Sequence, residues 1–397
     1  MRIVKIEDLH AEGGVRTFSF LKITTDDGVV GWAEYRDDDV AFGVSPIIRR
    51  FAEVAVGMDP CQVARISATL HATARPVPWG LNHQAIAAIE NGCLDIQGKA
   101  LGVPVNALFG GPFRNRVSVY WTHCASSRVR YAEFFEKELG KAPIRTLDDI
   151  QRVGEEIIAA GFKALKTEPI LFDGPMPRLF NNGWCLAADF LDRKPDSRFI
   201  AAINDQLAAF RQGVGPRTKL MIDLSFNQRT DGFMRIAKAV ERFNLDWLEM
   251  DIQDPEALAL IRGSTSTPIA SLETISGLKN YRPYLQRYSV DVAIIDAIGN
   301  GIWQSVRIAS LADAYEVNIA PHNTLGDLAS LMTGHFYASI PNFRMMELEV
   351  EKPPWTRDFF THPVVIEKGE LVLPDRPGWG TDINEEAVRA HPAKSAG

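Results

Sequence analysis

Apolar and polar positions alternate near the start of the chain with the two-residue period of half-buried strands. The opening MRIVKIEDLH and the segments FSFLKITT (18–25) and VVGWAE (29–34) follow this pattern, and TDDG (25–28) supplies the turn between the last two. Helical patterns follow over 45–56 and 82–100. Residues 1–115 therefore predict a small N-terminal α+β domain.

Beyond residue 115 the pattern becomes regular, because short apolar, β-branched runs alternate with helical stretches. One such helix opens at the N-cap candidate Thr146. Eight strands spaced in this way favour a parallel α/β barrel over 116–353. An open doubly wound sheet is the alternative, but the Gly-x-Gly-x-x-Gly turn that would support it is missing from the sequence. The runs are VSVYWTHC (117–124), ALKTEPI (164–170), KLMIDLS (219–225), LDWLEMDI (245–252), PIASLET (268–274), VDVAIIDA (290–297), EVNIAPHN (316–323) and FRMMELEV (343–350).

Two segments fall outside this repeat. An insertion around 173–194 follows the second barrel strand, is rich in Gly, Pro, Asn and aromatic residues, and is interpreted as a lid or specificity loop, with an inert surface excursion as the alternative. Residues 354–397 contain the strand-like pieces VVIEKG and ELVLP. We expect this C-terminal segment to pack back on the first domain.

Composition narrows the functional class. Hydrophobic residues make up 46% and charged residues 23% of the chain, which is typical of a globular protein. The net charge of -7 argues against nucleic acid as a partner, because phosphate binding requires a basic surface. The chain lacks a signal-peptide core and an apolar run of membrane-spanning length. We therefore expect a cytoplasmic protein without a membrane partner, whose four separated cysteines are free thiols.

Three carboxylates carry the clearest chemical signal. Asp223, Glu249 and Glu273 end strands three, four and five, one βα repeat apart, so they come from adjacent strands at equivalent heights. Acids that converge in this way repel each other unless a cation neutralises them. Hard oxygen ligands indicate Mg²⁺ or a similar ion, so we predict one metal site at the barrel mouth.

Other polar residues stand on the same rim. Lys166 and Glu168 share one face of strand two, where a lysine can hold a substrate carboxylate or stabilise developing negative charge. His322 ends strand seven and Asp296 ends strand six, so the carboxylate can fix the imidazole tautomer and raise its basicity.

Strand eight offers Glu347, with Glu349 as the alternative on the same face. We expect acidic neighbours to keep Glu347 protonated, so that it donates a hydrogen bond.

These residues resemble the mandelate racemase subgroup of the enolase superfamily over nearly the whole chain. The resemblance also includes FLKITTDDGVVGWAE, AIAAIENGCLDIQGKALGVPVNALFGG, GFKALKTE and LVLPDRPGWGTDINEE. It implies an α+β capping domain over a (β/α)7β barrel, one Mg²⁺ on the three acids, and a base dyad of His322 and Asp296. It further implies Glu347 as a hydrogen-bond donor to an enediolate, a small-molecule carboxylate substrate and a homo-oligomer.

The chain departs from the family pattern at three positions. The usual Lys-x-Lys is Lys166-Thr167-Glu168, which disfavours a racemase with one base on each substrate face. Glu168 could act as base or acid, bind a substrate hydroxyl or pair with Lys166. Ser225 stands where the family often has Asn or a catalytic His, and Leu272 stands where a Gly usually precedes the third acid.

The resulting functional prediction is dehydration of an acid sugar to a 2-keto-3-deoxy acid. The alternatives are a racemase or epimerase of a hydroxy acid, and a metal- and acid-binding homologue without catalysis. Substrate contacts are predicted for Ser225, for His123 at the end of strand one, and for Trp79 in the loop ARPVPWG (74–80), which with EYRDDDVAFG (34–43) could reach over the mouth. Arg128 and Arg130 are candidates to meet the second carboxylate of a diacid.

Overall fold

A computed structural model describes residues 1–38, 41–180 and 195–394. An antiparallel sheet opens the chain and packs against a long, largely buried third helix. The strand and the helix can approach closely because Gly31 has no side chain. A Cβ at this position would lie 2.2 Å from the carbonyl oxygen of Gly92. This part consists of β1 (Ile3–Glu12), β2 (Thr17–Thr25), β3 (Val30–Tyr35), α1 (Val44–Ala55), α2 (Val63–Thr73) and α3 (Leu81–Leu101).

Eight parallel strands form the predicted barrel, and each of the eight predicted runs overlaps one of them. Closure is visible where β13 pairs with β4, with Glu347 opposite Tyr120, and where Ile319 pairs with Phe343. The strands are β4 (Arg116–Trp121), β5 (Ala164–Thr167), β8 (Lys219–Asp223), β9 (Trp247–Glu249), β10 (Ile269–Ser271), β11 (Val292–Asp296), β12 (Asn318–His322) and β13 (Met346–Leu348).

Helices cover the outside of the barrel, and α6 begins at the predicted cap Thr146, which exchanges hydrogen bonds with Asp149 in a capping box. Short 3₁₀ helices span Val105–Phe109, Glu241–Phe243 and Pro354–Phe359. The helices of this region are α4 (Ser126–Arg130), α5 (Ala132–Leu139), α6 (Leu147–Ala159), α7 (Ser197–Val214), α8 (Thr230–Val240), α9 (Pro255–Gly263), α10 (Leu278–Gln286), α11 (Ala297–Asn300), α12 (Ile302–Asp313) and α13 (Asp327–Ala338).

Side chains fill the barrel interior, so the strands enclose a packed core and only their carboxyl ends are available for chemistry. Tyr120 and Trp247 meet edge to face, with ring centroids 5.4 Å apart. The interior cluster comprises Tyr120, Ala164, Met221, Trp247, Ala270, Val292, Ile294, Ala320 and Met345.

Buried polar groups join the N-terminal elements to the barrel. The Glu34 carboxylate accepts hydrogen bonds from the backbone N–H groups of Gly326 and Ala329, 2.6 and 2.9 Å away, at the start of α13. Asn91 accepts one from the backbone N–H of Ile302, which begins α12. The backbone N–H groups at a helix N-terminus have no partner within the helix. By accepting hydrogen bonds from them, Glu34 and Asn91 fix the N-terminal elements against the barrel mouth.

The C-terminal segment divides its contacts. Strands β14 (Val365–Glu367) and β15 (Glu370–Val372) form a hairpin that pairs with β4 of the barrel and not with the N-terminal sheet. The Trp379 indole donates to the Trp32 carbonyl in β3, and α14 (Glu385–Ala390) contacts β1. The end of the C-terminal segment therefore packs on the first domain, as predicted. Its hairpin instead pairs with a strand of the barrel.

The insertion after β5 is described up to residue 180. Strands β6 (Ile170–Leu171) and β7 (Arg178–Leu179) form a small antiparallel pair there. Residues 181–194, with most of the predicted lid and Cys185, lie outside the described residues. Cys61, Cys93 and Cys124 are free thiols. In the described ranges, no helix is long and apolar enough to cross a membrane.

Candidate active site

Three carboxylates meet at the carboxyl end of the barrel, as predicted. Asp223 and Glu249 are paired residues of β8 and β9, and Glu273 follows β10. One oxygen from each lies within 4.8 Å of the other two. Register between neighbouring strands brings the three side chains to one height, because equivalent positions of parallel strands end at the same rim.

The cluster carries more negative charge than its surroundings neutralise. Burial, with the nearby carboxylates of Asp223 and Glu347, raises the pKa of Glu249 to about 7 although Lys166 opposes this shift. Burial also raises the pKa of Asp223 and of Glu273. One oxygen of Glu249 has no hydrogen-bond partner among the described residues. Buried, mutually repelling oxygens of this kind have the chemistry of ligands for a hard divalent cation.

A fourth acid, Asp251, was missed by the sequence reasoning. It is 5% exposed, neither of its oxygens has a hydrogen-bond partner in the described part of the chain, and burial raises its pKa well above the ordinary value. The neighbouring charges of Asp223 and Glu249 add to this increase. Its position two residues after Glu249 was the available signal, because alternate strand residues share a face.

Lys166 lies between the acid cluster and strand eight. Its Nζ is 3.0 Å from an oxygen of Glu249 and 2.9 Å from one of Glu347. Burial alone would lower the pKa of this lysine, but the two carboxylates outweigh burial and raise it well above its usual value. Lys166 is therefore a buried ammonium group held between the acid cluster and Glu347.

The expected protonation of Glu347 is wrong in this structure. Its carboxylate accepts hydrogen bonds from the Thr122 hydroxyl at 2.6 Å and from the Asn323 backbone N–H at 2.9 Å, in addition to its ion pair with Lys166. Burial favours the neutral acid, yet Lys166, His322 and His123 together lower the pKa of Glu347. The residue is consequently a carboxylate that accepts hydrogen bonds.

His322 and Asp296 meet as predicted. They are paired residues of β12 and β11, and the imidazole Nδ1 lies 3.5 Å from a carboxylate oxygen of Asp296. The other oxygen of Asp296 accepts from the backbone N–H of Gly299. His322 Nε2 lies 3.9 Å from Glu273. Burial lowers the pKa of His322, but the charges of Glu273 and Asp296 outweigh burial and raise it to about 9.

Glu168 does not make the ion pair with Lys166 that was one of its predicted roles. Its carboxylate lies 3.2 Å from the Arg130 guanidinium. Burial raises the pKa of Glu168, but the charges of His123 and Arg130 outweigh burial and lower it. Glu349 does not replace Glu347 in the Lys166 pair and instead lies 2.8 Å from His123.

Arg128 does not face a substrate. It is 2% exposed, and its guanidinium binds Glu351 and Glu156 with shortest distances of 2.6 Å. These ion pairs occupy the donors that a diacid would need, so the prediction that Arg128 meets a second carboxylate is wrong.

Two of the family departures have a local explanation. The Ser225 backbone N–H and hydroxyl both donate to Asp223, at 2.7 and 3.4 Å, so Ser225 orients the first acid. Ser225 and Leu272 adopt left-handed backbone angles, with φ of 45° and 96°. Leu272 stands where the family usually has glycine, and the positive φ explains why glycine suits that position.

A cavity of about 660 Å³ opens beside His322 and Asp296. Trp79, for which a substrate contact is predicted, lines this cavity from the N-terminal elements, and its ring lies so close to Gly277 that a Cβ there would be 2.1 Å away. Arg36 was not singled out by the sequence, although it belongs to the segment predicted to cover the mouth. Other lining residues are Gln84, Gln253, Glu273, Thr274, Ser276, Asn280, Tyr284 and Asn300.

Comparison with protein families matches both parts of the chain. Residues 11–110 match the mandelate racemase/muconate lactonizing enzyme N-terminal domain, and residues 149–387 match the enolase C-terminal domain-like family. The chain belongs to the mandelate racemase subgroup of the enolase superfamily. The N-terminal α+β elements are therefore the capping domain, and the eight strands are the (β/α)7β barrel that this superfamily shares.

Individual members of the superfamily resemble the chain over its full length. A candidate L-alanine-DL-glutamate epimerase from Burkholderia xenovorans strain LB400 is 37% identical with a TM-score of 0.95, and the match covers 100% of both chains. A second structure of it, bound to magnesium and fumarate, gives the same identity and TM-score over 100% of this chain and 97% of that one. A D-galactonate dehydratase family member from Streptomyces bingchenggensis (strain BCW-1) is 28% identical over 99% of this chain and 94% of its own. A D-mannonate dehydratase from Novosphingobium aromaticivorans is 28% identical over 96% and 93%.

Proposed function

We propose that the protein removes the proton next to the carboxylate of a small acid, with Mg²⁺ as its cofactor, and dehydrates an acid sugar to a 2-keto-3-deoxy acid. The observation that carries this proposal is the placement of the His322–Asp296 pair beside the carboxylate cluster. A base, a metal-type ligand set and a buried ammonium group share one rim, which is the combination that α-proton removal requires.

Asp223, Glu249 and Glu273 are the residues that would hold Mg²⁺. Their buried, crowded oxygens and raised pKa values fit a divalent cation, and a superfamily structure 37% identical to this chain contains magnesium. When bound, Mg²⁺ would offset the negative charge that develops on the substrate carboxylate.

The other side chains act through charge and proton transfer. The Lys166 ammonium would bind the substrate carboxylate and stabilise the dianionic enediolate, because it is buried where water cannot screen it. His322 would take the α-proton at Nε2, while Asp296 holds the Nδ1 side of the ring. A cation bound at Glu273 would weaken that residue's upward effect on the His322 pKa and help to provide the neutral imidazole.

Dehydration is favoured over epimerisation by two observations. The D-galactonate and D-mannonate dehydratase relatives match nearly the whole chain. Glu168 stands where the family's second lysine would act on the opposite face of the substrate, and Arg130 holds it as a carboxylate. Epimerisation remains the second candidate because a candidate epimerase is 37% identical to this chain.

A substrate screen tests the proposal. The purified protein with Mg²⁺ is incubated with mono- and diacid sugars, including D-galactonate, D-mannonate and D-xylonate, and the 2-keto product is detected chemically. We expect one or a few acids to give a product, and a chelator to abolish its formation reversibly. A product that forms equally well without metal, or no product from any acid sugar, would contradict the proposal.

A further inference from the structure

A second imidazole–carboxylate pair lies at the barrel mouth. His123 Nδ1 is 2.8 Å from a carboxylate oxygen of Glu349, and Arg16 lies 3.9 Å from the same oxygen while donating to Thr324. This arrangement repeats that of His322 and Asp296. Because β13 lies between β12 and β4, the two histidines flank the position of Glu347 from opposite sides.

The backbone at His123 is held in an unfavourable conformation. Its φ is 50°, in the left-handed region that a side chain disfavours, and Ala125 follows with φ 65°. Hydrogen bonds hold this turn, from Cys124 N–H to the Lys166 carbonyl and from Ser127 N–H to the His123 carbonyl. Such conformations persist where the surrounding structure fixes them, and they are concentrated at functional sites.

The other acids and bases on this side are poor proton donors. Arg130 and His123 lower the pKa of Glu168, so it is a carboxylate. Glu347 accepts hydrogen bonds and is also a carboxylate. Lys166 is held between Glu249 and Glu347. A leaving hydroxyl therefore needs a donor that none of these groups supplies.

His123 can meet that need. Its Nδ1 is engaged by Glu349, and its Nε2 has no hydrogen-bond partner among the described residues. Its side chain is 19% exposed, so the ring is not sealed in the core. Burial lowers the pKa of His123, but the Glu349 carboxylate outweighs burial and raises it, so the ring holds its proton more firmly than a free histidine.

We propose that His123 is the general acid of this dehydration, and that Glu349 positions it; the inference rests on the function proposed above. His322 takes the α-proton, and the electron pair of the C2–H bond moves toward the carboxylate to form the enediolate. That electron pair then forms the C2=C3 bond. The C3–O bond breaks, and the hydroxyl leaves as water with the proton from His123 Nε2. The resulting enol takes up a proton at C3 and loses the proton of its C2 hydroxyl, which gives the 2-keto-3-deoxy acid. His322 then releases the α-proton to solvent, and His123 regains a proton.

The test separates proton removal from hydroxyl loss. Wild type, His123→Asn and His322→Asn are incubated in D₂O with Mg²⁺ and D-galactonate, D-mannonate or D-xylonate. NMR follows deuterium entry at C2 and the formation of the 2-keto product. We expect His123→Asn to retain exchange at C2 while product formation falls by about 100-fold or more. His322→Asn should lose both signals.

A fluorinated probe gives an independent criterion, because fluoride leaves without needing a proton. On the 3-deoxy-3-fluoro analogue of the acid that wild type dehydrates, His123→Asn should eliminate fluoride at nearly the wild-type rate. Glu349→Gln should show the same selective loss in weaker form. If His123→Asn does not fold, the Glu349→Gln variant still tests the proposal.

Exposed His362→Asn is the matched control and should behave as wild type. Two results would overturn the assignment of His123 as general acid without affecting the proposed function. One is a rate of dehydration in His123→Asn within about threefold of wild type. The other is an equal fall in the rates on the hydroxyl and fluoro substrates. A wild-type protein that neither exchanges the α-proton nor forms a 2-keto product with any of the three acids or in the wider screen would instead overturn the proposed function, and this inference with it.

Discussion

Replacing Glu273 by Gln should stabilise the metal-free protein and remove its stabilisation by Mg²⁺. Glu273 contributes one of three carboxylate oxygens that lie within 4.8 Å of one another. Two full charges at that separation repel by about 3.5 kcal/mol at an effective dielectric constant of ~20. Partial protonation, indicated by the raised pKa of Glu273, relieves part of this repulsion. We therefore expect a gain of about 1–3 kcal/mol, or roughly 1–4 °C in melting temperature for a chain of this size.

Thermal melts in EDTA and in Mg²⁺ measure both effects. At a concentration 100 times its Kd, Mg²⁺ should stabilise wild type by about 2.7 kcal/mol, whereas Glu273→Gln should gain much less because it lacks one charged ligand. Exposed Glu133→Gln is the control and should follow wild type in both buffers. The reasoning is refuted if Glu273→Gln melts below wild type in EDTA, or if Mg²⁺ raises both melting temperatures equally.

Three further predictions concern other parts of the molecule. Asp296→Asn should lower kcat by roughly 10²–10⁴-fold and move the rise of kcat/KM to lower pH, since Asp296 raises the pKa of His322; an unchanged pH profile would contradict this role. Burial raises the pKa of Glu90 from 4.5 to about 8, so between these values only the unfolded carboxyl is ionised, and stability should fall as pH rises, by about 1.4 kcal/mol per unit. Urea unfolding of Glu90→Gln between pH 5 and 8 should show a shallower slope, and an unchanged slope would exclude Glu90 as its source. Arg128→Met should lower the free energy of unfolding in urea by about 3–5 kcal/mol, because it leaves the buried Glu351 carboxylate without its closest ion-pair partner. It should leave the substrate profile unaltered, and a selective loss of activity on diacids would show that Arg128 binds substrate.

The barrel and its acid cluster were predictable because both depend on local periodicity. One βα repeat separates Asp223, Glu249 and Glu273, and register between parallel strands then places them together. The pairing of Asp296 with His322 follows in the same way from adjacent strand ends. These features require only strand order and equal heights, which the spacing of apolar runs already indicates.

Contacts between distant loops were not predictable from spacing. Arg130 holds Glu168 only because α4 follows the first barrel strand in a left-handed turn at His123. The charge of Glu347 depends chiefly on Lys166, His322 and His123, which come from three other strand ends. Thr122 and Asn323, at the ends of two of these strands, also donate hydrogen bonds to it. Both features arise from side-chain directions at strand ends, and the pattern of hydrophobic positions carries no information on these directions.

The entry of solvent deuterium at the carbon next to the substrate carboxylate tests the central claim most directly. Mg²⁺-loaded wild type in D₂O should exchange this proton in an acid sugar that it dehydrates, and removal of the metal should stop the exchange. His322→Asn should abolish exchange, whereas Glu168→Gln should retain much of it, because the proposed base is the His322 imidazole, which lies 3.5 Å from Asp296. Exchange that survives in His322→Asn and vanishes in Glu168→Gln would contradict the account and make Glu168 the base.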